Sequence, residues 1–108
     1  MMGPDDRKRE ELLKFLNQKV FDPILRAVPG DYKSEDLKKK LNDVKRRTES
    51  EKHIFHELQT AEQVKKNYLA DLDFRTARKT DYELDELKLP SLTQVKDEFL
   101  RLCEKLKV

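Results

Sequence analysis

Lys45-Arg46-Arg47-Thr48-Glu49-Ser50-Glu51-Lys52-His53 is the stretch whose reading decides the fold. It holds no apolar residue, but no Gly or Pro that would break a helix either. Leu37, Leu41 and Val44 precede it at helical spacing. Ile54, Phe55, Leu58, Ala61, Val64, Tyr68, Leu69 and Leu72 resume the period after it. An uninterrupted helix over 34–79 would be roughly 70 Å long at ~1.5 Å per residue, too long for a compact domain of this size. Thr48-Glu49-Ser50-Glu51 matches a capping box, in which the threonine oxygen and the glutamate each satisfy an orphan amide. The expectation is therefore a break or bend there, with helices over 34–47 and 49–79.

Upstream, Asp5 or Asp6 can cap a helix in which Leu12, Leu13, Phe15, Leu16, Val20 and Phe21 recur near the helical period. Pro23 lacks a backbone donor and crowds the preceding turn, so the helix over 5–22 stops or kinks near Asp22. Ile24, Leu25 and Val28 extend its apolar face to 28, and Pro29-Gly30-Asp31 ends the segment. Ser34 is a natural N-cap, followed by Glu35 and Asp36 where the helix dipole favours negative charge. Downstream, residues 80–90 read as a connecting loop. Pro90-Ser91 then opens a last helix over 91–106, with Ser91 and Gln94 spaced as a capping box and Leu92, Val95, Phe99, Leu102 and Leu106 forming a stripe.

These elements predict one all-α domain over 1–108 with residues 1–4 frayed. The expected architecture is a small antiparallel bundle of three or four helices, or a variant with one long bent helix. Leu16, Phe21, Leu58, Leu72, Phe99 and Leu102 are the expected shared core. Acid–base pairs four apart, such as Glu10 with Lys14, Glu35 with Lys39 and Asp36 with Lys40, fit solvated helix faces.

Charged residues make up 43% of the 108-residue chain, against roughly 25% in an average domain, so the core must be thin. The 24 Lys and Arg nearly cancel the 22 Asp and Glu, leaving +2 and no dominant field. There is neither the apolar core of a signal peptide nor a run approaching the ~18 apolar residues of a membrane span, which points to a cytoplasmic protein without a membrane partner. Cys103 is the one cysteine, so no internal disulfide is possible.

Catalytic and cofactor chemistry find little support. His53 and His56 share a helix face with Glu49 and Glu57 nearby, but a stable metal site needs three or four ligands and no further Cys or His cluster completes the set. Cys103 sits on the apolar flank of the last helix, where cysteine behaves as a small hydrophobe. Gly3 and Gly30 cannot build a phosphate cradle. The expectation is a protein that is not an enzyme, with no cofactor, no metal and no small-molecule substrate.

Two binding readings remain. The favoured one is a helical module for a protein partner or self-association, through an apolar band broader than a core stripe. Its candidate contacts are Phe55, Tyr68, Leu69 and Phe74, with Tyr82, Leu84 and Leu87 in the adjoining segment. The alternative is a nucleic-acid binder that contacts phosphates through Lys38, Lys39, Lys45, Arg46, Arg47 and Lys52, with Arg75, Arg78 and Lys79 as a second patch. Glu35, Asp36, Asp43, Glu49 and Glu51 interrupt the first cluster and weaken that alternative.

Overall fold

The computed structural model describes residues 3–73, 82–90 and 93–108, with side chains for all of these except 72 and 73. The described backbone is helical, with no strand. Helix α1 spans Pro4–Leu16 and is capped by Gly3 rather than by Asp5 or Asp6. Pro4 opens the helix where a missing N–H costs nothing, and the Asp6 carboxylate accepts from the Gly3 amide at 3.3 Å.

The kink expected at Pro23 takes the form of a widened turn. Asn17–Phe21 is a π-helical segment, closed by the Asp22 amide donating to the Asn17 carbonyl, and α2 follows over Asp22–Leu25. In a regular α-helix the Pro23 ring would press on the Lys19 carbonyl. Widening the preceding turn relieves that clash, so helical backbone passes through the proline instead of stopping at it. A 3₁₀ turn at Pro29–Asp31 then ends the segment.

Helix α3 runs unbroken over Glu35–Glu57, so the restart expected at Thr48 does not occur. Ser34 caps it, its hydroxyl accepting from the Leu37 amide at 3.4 Å. Thr48 is buried inside this helix. The polar run keeps the stripe: Leu41, Val44, Thr48, Glu51 and Phe55 follow each other at alternating spacings of three and four, so Thr48 and Glu51 hold the inward positions between apolar residues.

The chain breaks later, at Leu58-Gln59-Thr60, before α4 at Ala61–Asp73. Thr60 and Gln63 form the capping box found here. The Gln63 amide donates to Thr60 Oγ1 at 3.1 Å, and Gln63 Oε1 accepts from the amides of Gln59 at 2.8 Å and Thr60 at 3.1 Å. Arg9 closes the other side, donating to the carbonyls of Leu58 at 2.6 Å and His56 at 3.2 Å. This turn lets α4 fold back against α1.

Residues 82–86, inside the stretch expected to be a loop, are helical and are labelled α5. It ends in a Schellman motif, with Lys88 at φ 56° and the Leu89 amide donating to the Leu84 carbonyl at 2.8 Å. Helix α6 spans Lys96–Leu106, later than the expected start at 91; residues 93–95 are a turn, and the expected cap Ser91 lies outside the described residues.

Among the described residues two apolar clusters form. The larger joins α1 and the π segment to α4 and α6 and includes Leu12, Leu16, Phe21, Val64, Tyr68 and Phe99. Phe99 is fully buried, 4.5 Å from the Tyr68 ring and 5.8 Å from the Phe15 ring between centroids. The smaller cluster joins Ile24, Leu41 and Val44 to Leu84 and Leu87. Leu16, Phe21 and Phe99 are therefore core residues as expected, Leu58 and Leu102 are partly buried against the larger cluster, and the Leu72 side chain lies outside those described. The molecule measures 48 × 26 × 18 Å with a radius of gyration of 14.6 Å, longer than the ~13 Å of a compact chain of this length.

Because Phe99 sits where α1, α4 and α6 meet, Phe99→Ala is expected to cost about 3 to 5 kcal/mol. Denaturant unfolding measures this, and a midpoint equal to wild type would place the ring outside the core.

Candidate functional site

Folding α4 back on α1 turns most of the apolar band inward. Phe55 is buried against Phe21 with centroids 5.7 Å apart, and Tyr68 is buried against Phe99. Leu84 and Leu87 are buried in the smaller cluster. These four side chains are thus closed to a partner in the folded chain. Leu69 is partly buried, Tyr82 is 67% exposed, and Phe74 lies outside the described residues. Ile54, one residue off the inward stripe of α3, is left 56% exposed.

The basic residues of α3 are largely engaged within the fold. Arg47 pairs with Glu83, and Lys40 meets Glu86 at 2.5 Å. Lys45 donates to the Ala27 carbonyl at 2.5 Å, and Lys52 reaches Asp22 at 3.2 Å. Lys38 and Arg46 pair along the helix with Glu35 at 3.2 Å and Asp43 at 2.6 Å, while Lys39 is exposed. Arg75, Arg78 and Lys79 lie outside the described residues. The hydrogen bond to Glu86 raises the Lys40 pKa and lowers that of Glu86, the sign of a pair that holds both charges. This face therefore ties α3 to α2 and α5.

His53 meets Glu57 at 3.0 Å on the exposed side of α3. His56 meets α1's end instead, with its Nε2 3.1 Å from Asn17 Nδ2 and 3.3 Å from Asn17 Oδ1, so the contact accommodates either tautomer. Burial, helped by Lys52, Arg9 and His53, pushes its pKa below the usual histidine value. The two histidines thus take different partners. Among the described residues no group of three or more His, Cys, Asp or Glu is placed to hold a metal ion. Cys103 is buried, and burial raises its thiol pKa, which disfavours the reactive thiolate.

Sequence reasoning missed a cleft of about 470 Å³ where α1, α4 and α6 meet. Lys8, Lys65, Lys66 and Lys107 line it, with Leu69 and Val108 as apolar lining and Asp5 and Glu62 completing it. Lys65 donates to the Val108 carbonyl at 2.8 Å. Among the described residues Lys8, Lys66 and Lys107 take part in no ion pair. Lys107 is held at the rim by the Schellman turn that ends α6, at φ 58°. A neighbouring hollow shares Lys8 and adds Arg7 and Lys105. These cations come from three distant parts of the chain, so no local charge run announces them. An open cleft with free ammonium groups above apolar side chains can take carboxylates and a small hydrophobic group together.

Comparison with known protein families, characterised proteins and solved structures finds no match to this chain.

Two carboxylates, Glu51 and Asp71, are partly buried. Burial, reinforced by the neighbouring Asp71 carboxylate and opposed by Arg47, raises the Glu51 pKa from its ordinary 4.5 to about 7. Burial raises Asp71 as well. The folded state thus binds a proton more tightly than the unfolded chain, so stability falls as pH rises from about 4.5 through about 7. Glu51→Gln is expected to raise the melting temperature above pH 7 and to leave it near wild type at pH 4. Equal shifts at both pH values would assign the effect to packing.

Proposed function

We propose that the protein is a small helical protein-interaction module of the cytoplasm, non-catalytic, with its helices arranged as an antiparallel bundle, and that it recognises acidic partners through the face shared by α1, α4 and α6. The observation that carries this reading is the contrast between two sets of cations. Those on α3 are mostly tied to carboxylates or carbonyls of the same chain, whereas Lys8, Lys66 and Lys107 surround an open cleft without an ion pair among the described residues. Complementary charge of this kind speeds encounter and selects against wrongly charged partners. The cleft contains Leu69, from the apolar band the sequence marks out, so part of the favoured contact set is retained. Self-association is less favoured through this face, because two copies would bring like charges together.

Binding to nucleic acid is the second reading, since the same free cations would attract phosphate. Against it, Lys45, Arg47 and Lys52, which the nucleic-acid reading needs on α3, already have partners within the chain.

The test compares Lys8→Glu/Lys66→Glu/Lys107→Glu with the control Lys38→Glu/Lys39→Glu/Arg46→Glu. Affinity capture with quantitative mass spectrometry is expected to show acidic proteins retained by wild type and control and lost from the cleft variant. Identical profiles for all three proteins would overturn the assignment. Retardation of DNA or RNA that collapses between about 50 and 200 mM salt would favour the second reading.

A further inference from the structure

Helix α5 sits on α2 and α3 in the manner of a bound peptide. In Glu83-Leu84-Asp85-Glu86-Leu87 the two leucines are three apart and so are the two glutamates, which places each pair along one side of a helical turn. Leu84 and Leu87 are buried among Ile24, Leu41 and Val44. Lys40 and Arg47 stand about two turns, or ~10 Å, apart on α3, with Leu41 and Val44 between them. Arg47 takes Glu83 and Lys40 takes Glu86, so the turn lies antiparallel to α3 with one cation for each acid. The Tyr32 hydroxyl donates to the Leu87 carbonyl at 2.7 Å and fixes the end of the turn.

The single turn over 83–87 has no stability of its own, because nucleating a turn fixes several residues for a single hydrogen bond. The groove therefore supplies its shape, as it would for a helical peptide docked by spaced apolar anchors. Among the described residues the larger cluster shares no member with this groove.

We propose that the groove between α2 and α3 is a recognition site for the pattern acid-Leu-x-acid-Leu, that residues 83–87 occupy it in cis, and that a partner polypeptide carrying the pattern engages the protein by displacing them. This site is separate from the lysine cleft and does not rest on it. The tethered segment competes at a high effective concentration, so a free peptide binds the wild-type chain weakly and an emptied groove well.

The experiment uses a fluorescent peptide of residues 82–90, Tyr-Glu-Leu-Asp-Glu-Leu-Lys-Leu-Pro, with anisotropy as the readout and circular dichroism to verify helix content. It is titrated with the full-length wild type and with two full-length variants whose own turn seats less well, Leu84→Ser/Leu87→Ser and Glu83→Lys/Glu86→Lys. The peptide is expected to bind the emptied variants at least about tenfold more tightly than wild type. Adding Lys40→Glu/Arg47→Glu to the leucine variant is expected to weaken binding about tenfold, since two attractions become two repulsions. If the leucine variant does not fold, the charge variant, which keeps both leucines, carries the test. No binding to a folded emptied variant, affinity equal to wild type, or affinity indifferent to Lys40 and Arg47 would each overturn the proposal.

Discussion

The turn at Leu58-Gln59-Thr60 is the constraint on which the rest of the molecule depends. Without it the apolar stripe of α3 and α4 would extend along one rod with nothing to cover it. Three groups hold it: Gln63 accepts from two amides, Thr60 returns the cap, and Arg9 reaches from α1 to the carbonyls at the end of α3. Arg9 thereby ties the first helix to the place where the chain reverses. The Asp5 carboxylate adds a contact from the same helix to the Ala61 amide at 3.4 Å. The position of α4 on α1, the burial of Tyr68 against Phe99 and the cleft lined by Lys8 and Lys66 all follow from that reversal.

The thin apolar supply is divided unequally. The larger cluster gathers aromatic rings from α1, the π segment, α3, α4 and α6, where rings bury much area for each ordered side chain. Among the described residues the smaller cluster has five buried aliphatic residues, and it is edged by partly exposed ion pairs. Such partly exposed pairs are screened by solvent, so they set orientation and selectivity more than stability. A groove with a modest apolar floor and charged ends suits recognition better than permanent closure. Glu51, inward on α3 beside Asp71, weakens the interior further as pH rises.

All-helical structure was legible in the sequence because periodicity along one element is local information. The stripes that place Leu16, Phe21 and Phe99 inside are read from spacing alone. The break was misplaced for an equally physical reason. A run without apolar residues resembles a gap, but Thr48 and Glu51 fall on the inward positions and good helix formers fill the rest. At the true break, Leu58 and Ala61 carry the apolar period across, hiding the Thr60-x-x-Gln63 cap that was there to be found. The site was less legible still. Lys40 and Arg47 look like members of a basic face until Glu86 and Glu83, 46 and 36 residues away, are brought beside them. The lysine cleft is assembled from α1, α4 and α6, which no window along the chain can show.

An exchangeable occupant of the groove must open separately from the main core. Native-state hydrogen exchange measures this directly. The amides of Leu87 and Leu89 donate to Glu83 and Leu84 within the turn, whereas the Phe99 amide donates to Val95 beside the larger cluster. The account predicts that Leu87 and Leu89 exchange through a low-energy opening insensitive to denaturant, while Phe99 exchanges only with global unfolding. Equal protection and equal denaturant dependence at the three amides would contradict it.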